Sequence, residues 1–510
     1  MTTITSQPTT VSARPSTDRV NSLGLYTAGI ALALGILGDL LLIVLPWGIN
    51  VSLWVLALAI LVFVVARAGK LALTGGGRWL VAPMLLFAAL VAGRDSATLT
   101  VCNVLALLIV LSLGAARTRT GRLQLAGLLD YAAALFFAGM YGLFGAVALI
   151  GAIPWRKLSM PHWSQQARAV GCGLLLALPL LFIFGSLFAA ADPIFQSFAA
   201  GLFNWNGQDL FGHLIWIVLW SWLAGGFLYL LLLANEFAVE LHVQPGVMSL
   251  GIVEIGTALG LVNVLFLAFV VIQFRYFFGG AAILNVATGL TYAEYARRGF
   301  FELVTVAALV LPVLLIAHWL LKKDGQRAER SFNILAAVLI ALLFVIMISA
   351  LQRMRLYTEE FGLTELRLYT TAFMGWLALV FVWLLATVLR GQRERFAFGA
   401  LVAGLGVLVI LNAVNPDDMI ARTNTGRIDA ATRQPFDAGY VTGLSADAVP
   451  TLIQTLPQLG AHDRCLISQQ ILKKWSSPAN VDWRTWNWSR FYAWQWVRTN
   501  SAYLTGACTN

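Results

Sequence analysis

Charge is what this sequence has least of. Asp, Glu, Lys and Arg together make 11% of its 510 residues, while 59% are hydrophobic. Soluble domains carry about a quarter charged residues, so a soluble globular class is excluded. Histidine is sparse, with five residues standing singly at 162, 213, 242, 318 and 462. Four cysteines occur and none forms a C-x-x-C pair, which leaves zinc or dithiol redox chemistry unsupported. H-E-x-x-H, G-x-S-x-G, G-x-x-x-x-G-K-[ST] and the dinucleotide fingerprint are all missing. Soluble-type catalysis is therefore disfavoured, and the sequence calls for no cofactor and no metal.

Long hydrophobic runs are what the chain has in abundance. A span needs roughly 17–25 apolar residues. Runs of about that size occupy 23–45, 50–66, 79–93, 96–113, 125–153, 169–191, 213–234, 251–273, 302–321, 332–350, 368–389 and 396–414. The run 79–93 is short and 125–153 is long, so either shifts the count by one. A barrel would show short alternating segments instead. The fold class is all-α: a polytopic helical membrane bundle of about 12 spans with a small, mainly helical C-terminal soluble region. Residues 1–22, rich in Ser, Thr and Pro, read as a disordered leader. The run after them reads as a first membrane helix, not a signal peptide. The transmembrane domain covers 23–414 and the soluble tail 415–510.

The net charge of +10 is expected of loops beside membrane helices, so the partners are the lipid bilayer and a lipid or small-molecule ligand, not nucleic acid. Loops 67–78, 114–124, 154–168, 322–331 and 390–395 are short and basic. Each asks to face the cytoplasm. One run, 125–153, separates two of them, which is a conflict unless it is a hairpin. The late loops place 192–212, 275–301, 351–367 and the tail together on the other side. The expected location is a bacterial cytoplasmic (inner) membrane, crossed many times, with an extracytoplasmic tail.

The polar stretch 275–302 lies between two apolar runs. A helix from Thr291 puts Glu294, Arg298 and Glu302 on one stripe. A similar stretch, 353–369, carries Arg355, Glu359, Glu365 and Arg367, and Tyr292-x-Glu294 is echoed by Tyr357-x-Glu359. Facing each other, the two would form a polar vestibule able to bind a ligand. Interfacial scaffolding by salt bridges is the simpler reading. Asp39 is the notable acid inside a run, and such acids usually face the bundle interior. Glu236, Glu240 and His242 do not converge enough for a metal. Asp192-Pro193 reads as the start of a short interfacial helix.

In the tail, Asp447 is placed to cap a helix 448–456, and 462–474 is amphipathic. Trp483, Trp486, Arg490, Trp494 and Val497 follow helical spacing. That aromatic face serves either as the core of a small domain or as a surface lying on the membrane or gripping a ligand. Cys465 and Cys508 are able to pair if the tail faces an oxidising compartment.

The strings TYAEYARRGFFEL (291–303), YTEEFGLTELRLYTTAFMGW (357–376), NAVNPDDMIARTN (412–424), LSADAVPTL (444–452) and DWRTWNWSR (482–490) carry a resemblance. Over roughly 150–490 the chain resembles the bacterial integral membrane family called domain of unknown function 4173, related to the 4153 family. The resemblance implies a multi-pass bacterial membrane protein and brings no site residues. The expectation is a non-enzymatic envelope sensor or accessory protein. The alternatives are a small-solute transporter or channel, and a membrane enzyme acting on a lipid-linked substrate.

Overall fold

A computed structural model describes residues 17–68, 80–117, 127–153, 191–202, 210–234, 249–278, 300–322, 325–427, 436–477 and 480–508, with scattered positions from 173 to 190. The described residues form helices, joined by one isolated bridge between Leu250 and Leu321. In the membrane region these are α1 Thr17–Leu42, α2 Ile49–Ala68, α3 Val81–Gly93, α4 Ala97–Arg117, α5 Leu128–Ala152 and α6 Pro193–Leu202. They continue with α7 Leu210–Leu228, α8 Ile252–Phe278, α9 Phe300–Leu320, α10 Gln326–Phe361, α11 Glu365–Thr387 and α12 Phe396–Val414. Ten helices among the described residues are long and apolar enough to cross a membrane. The protein is an all-α polytopic bundle. Of the twelve runs read from the sequence, 79–93 forms the short α3, and 169–191 falls mostly outside the described residues.

Backbone groups in hydrocarbon must bond within their own helix, and the Leu, Ala, Val and Phe of these runs then supply packing surfaces. One apolar core gathers α8 to α11 around Phe300, Phe332, Leu339 and Phe381. Another gathers α1, α2, α5 and α7 around Leu34, Leu58, Leu149 and Leu228. The α1–α7 contact depends on a bare backbone. A Cβ on Gly35 would lie 1.8 Å from Ser221 Oγ and 2.6 Å from the Ile217 carbonyl. Small residues at such a crossing let two membrane helices approach closely. Polar side chains join neighbours within the bundle. Asn263 Nδ2 donates to the Leu335 carbonyl at 3.1 Å, and Ser349 donates to Gln273.

The run 125–153, which separates loops 114–124 and 154–168, forms the single helix α5, and those loops lie largely outside the described residues. Its first turns pack Tyr131 and Ala134 against Leu113 near the end of α4 and Ala397 at the start of α12. Its last residue, Ala152, meets Gly24 near the start of α1. All of these lie at the end of the bundle away from the tail. Long enough to span, α5 packs both of its ends at that end of the bundle.

At the other end the chain turns from bundle to tail in two residues. Asn415 takes the left-handed conformation (φ 59°) and Pro416 opens the next helix. Asn tolerates that conformation better than most residues, and proline suits a first helical turn. The tail contains α13 Pro416–Thr425, α14 Ala438–Gly443, α15 Val449–Thr455, α16 Ala461–Trp475, α17 Trp488–Thr499 and α18 Ser501–Gly506. Its own core holds Ile420, Leu452, Ile467 and Val497, and the Cys465–Cys508 disulfide ties α16 to the residues after α18.

Candidate functional site

The densest polar constellation among the described residues lies in the seam between bundle and tail. It begins with Arg94, Asp95 and Ser96 in the turn joining α3 to α4. Arg94 donates from Nε to the Asn412 carbonyl at 2.8 Å and pairs with Asp447 at 3.2 Å. The Asp95 amide donates to the other Asp447 oxygen at 2.8 Å. Its carboxylate takes Arg490 Nη1 at 2.7 Å and the Ala446 amide at 3.2 Å. Arg490, with a side chain 8% exposed, also donates to the carbonyls of Trp47 and Thr485 at 3.0 and 2.6 Å. Two guanidiniums and two carboxylates thus interlock across the seam.

Asp447 is the hub. Its oxygens accept from Arg94, the Asp95 amide, the Ser489 hydroxyl at 2.6 Å and the Ser445 hydroxyl at 3.2 Å. A buried carboxylate survives only when hydrogen-bonded in this way. The sequence reading of Asp447 as a helix cap is corrected. Ser445 caps that turn, accepting from the Asp447 amide at 3.3 Å, and frees the Asp447 side chain for the bundle. The reading of one helical face through Trp483 and Trp486 is corrected too. Asn487 caps α17 with its side-chain oxygen and donates to the carbonyls of Val91 and Arg94. The helix starts only after it, so Trp483 and Trp486 fall outside. A capping Asn ends any earlier helical register. The loop between α1 and α2 closes the seam. The Ile49 amide donates to the Trp486 carbonyl at 2.8 Å, and a Cβ at Gly48 would lie 2.2 Å from that oxygen.

A second group sits beside this clamp. Glu365 opens α11; its amide donates to the Tyr440 hydroxyl at 2.8 Å, and its carboxylate accepts from Thr98 at 3.2 Å. The Ser96 and Tyr369 hydroxyls are 3.5 Å apart. Asp417, on α13, is 1% exposed and accepts from the Ser445 amide at 3.1 Å. Its other oxygen has no partner among the described residues. Burial pushes the Asp417 carboxyl up to about 6, and the charges of Glu365 and Asp447 push the same way. Burial likewise raises Asp95, against the pull of Arg490. Below the seam, Asn103 and Asn412 exchange amide hydrogen bonds of 3.0 and 2.9 Å between α4 and α12.

Residues 81–455 match the model of a family described as Domain of unknown function (DUF4153). The chain belongs to that family. No curated protein and no solved structure matches it. The family region contains Arg94, Asp95, Glu365, Asn412, Asp417 and Asp447. It ends before Asn487, Ser489 and Arg490, so the clamp joins the DUF4153 region to the last part of the tail.

The residues singled out in the sequence are placed unevenly. Glu294 and Arg298 lie outside the described residues, as do Glu236, Glu240 and His242. Glu302 is exposed in the first turn of α9. Arg355 and Glu359 form an exposed i,i+4 pair at 2.9 Å near the end of α10. Arg367 closes that end, donating to the Gly362 carbonyl and stacking 3.9 Å from the Tyr357 ring centroid. Glu365 alone reaches the seam. Asp39 is 3% exposed and bonded to His213 on α7 at 2.8 Å. Asp192 accepts from the Ile194 amide at the start of α6. Among the described residues no three His, Cys, Asp or Glu side chains group to hold a metal ion. Arg94 and Asp95 carried no sequence signal of their own, and Ser489 and Arg490 were marked only by the string DWRTWNWSR and the aromatic spacing, since their pairings reach across 350 or more positions.

Proposed function

We propose that the protein is a non-enzymatic sensor or accessory component of the bacterial inner membrane, with its tail on the extracytoplasmic face. The Arg94–Asp447 and Asp95–Arg490 clamp carries this reading. Buried charge pairs are stiff and directional, so a load or partner on the tail is transmitted to the α3–α4 turn and into the bundle. Every member of the clamp is already occupied by protein, which suits coupling better than turnover. Glu365, from the vestibule of Glu294, Arg298, Glu302, Arg355, Glu359 and Arg367, belongs to the same transmitting surface. Kinship with the 4173 family is part of the proposal, on the strings quoted for it.

Two observations support the orientation. The Cys465–Cys508 disulfide suits an oxidising compartment. The basic turn 390–395, which leads into α12, lies at the end of the bundle away from the tail, where an excess of cytoplasmic Lys and Arg is expected. The partners proposed are a protein component of the envelope and a lipid or small-molecule ligand.

The test is photocrosslinking in living cells from exposed tail positions such as Ser501 and Tyr503. A discrete adduct with one envelope protein, lost when Arg490→Ala uncouples the tail, is expected. Solute flux in reconstituted vesicles that depends on Asp39 would overturn the reading in favour of a transporter. Turnover of a lipid-linked substrate by the purified protein would overturn it in favour of an enzyme.

A further inference from the structure

Beside the clamp, the last turns of α1 and the loop 480–484 of the tail border an open groove of about 710 Å³. That size is within the range of small-molecule sites, about 300–1,000 Å³. One wall is Leu37, Leu40 and Leu41 of α1, and the facing wall is dominated by Trp483. Leu40 is 50% exposed and Trp483 63% exposed, so among the described residues a large apolar surface lies uncovered. At the rim Arg484 grips Asp482, with its Nε 3.0 Å from both carboxylate oxygens and Nη2 2.6 Å from one. Its Nη1 donates to the Leu40 carbonyl at 2.7 Å, which fixes the tail loop to the end of α1. The pairing holds the Asp482 carboxyl below its ordinary range, so both groups are charged at neutral pH.

We propose that this groove seats one zwitterionic phospholipid drawn from the surrounding bilayer. The apolar wall belongs to a membrane-spanning helix close to its end, where the neighbour is lipid at the depth of its headgroup. An indole beside it suits a site that is oily at one end and wet at the other. An acyl chain covers Leu37, Leu40, Leu41 and Trp483. The charges then select the headgroup. An anionic headgroup must compete with Asp482 for Arg484 and leave a carboxylate facing it. A zwitterion instead sets its phosphate against Arg484 and its ammonium against Asp482, so neither protein charge loses its partner. The groove is separate from the clamp and from the sensor reading, and it stands whichever partner the tail has.

The test uses the full-length protein in detergent, with native mass spectrometry after addition of dioleoylphosphatidylethanolamine or dioleoylphosphatidylglycerol. One tightly retained phosphatidylethanolamine is expected, held about tenfold better than phosphatidylglycerol, a difference readable directly from occupancy. Leu40→Trp, which fills the groove, should remove it. Asp482→Asn, nearly isosteric and therefore safe for folding, should erase the preference between the two lipids. Equal retention of both lipids by the unaltered protein, or an unchanged preference in Asp482→Asn, overturns the proposal.

Discussion

Arg490 shows what a single side chain does here. It satisfies Asp95 and the carbonyls of Trp47 and Thr485 at once, so its removal strands a buried carboxylate. Breaking one partner of such a pair costs about 3–5 kcal/mol. Arg490→Ala should therefore release the tail from the bundle, read as new protease cleavage within the tail while the bundle stays intact. Arg490→Lys should rescue little, because an ammonium cannot serve the same planar set of acceptors. Asp417 works in the opposite sense. Its carboxyl is pushed from 3.8 to about 6 by burial. The docked state then holds its proton more tightly than the unfolded chain does. The associated stability is complete below about pH 4 and is lost as pH rises through about 6, by roughly 3 kcal/mol. Tail melting followed across that window should show the fall, and Asp417→Asn should flatten it. A melting point that rises over the same window would contradict the buried carboxyl.

At the scale of elements, the tail is held by its caps and its cross-link as well as by its core. Asn487 both starts α17 and donates to carbonyls at the end of α3 and in the turn beyond. The Cys465–Cys508 bridge closes a loop of sequence separation 43, which corresponds to about 4 kcal/mol of lost unfolded-chain freedom. Reduction should lower the tail's melting transition and leave that of the bundle unchanged. A single unshifted transition after complete reduction would show that the bridge contributes nothing. Helix existence was legible here because 461–475 is amphipathic with period 3.6. The boundary at Asn487 was not, because Trp483 and Trp486 continue the apolar spacing and a lone Asn does not outweigh them locally.

At the scale of the whole molecule, α5 decides how the bundle is threaded. Its two ends pack on the side away from the tail, against Leu113 and Ala397 at one end and Gly24 at the other. Single cysteines introduced by Gly127→Cys and Ile153→Cys, in a chain with its native cysteines replaced, should react with an impermeant maleimide from the same side. Gln392→Cys should share that side, and Ser501→Cys should label from the opposite one. Labelling of positions 127 and 153 from opposite sides would make α5 an ordinary span.

The all-α class, the many spans, the long runs and the polar tail follow from the sequence alone, because hydrophobicity over about twenty residues is a local property that a bilayer reads directly. Glu365 was legible too, as one of a few charges at a helix mouth. The tertiary structure alone decided that both ends of α5 pack away from the tail, since length and composition are the same for a helix that crosses and one that does not. It alone brought Arg94 and Asp95 to Asp447 and Arg490. Those pairs span about 350 and 395 positions of chain, and charge complementarity over such distances leaves no periodic trace in the residues between.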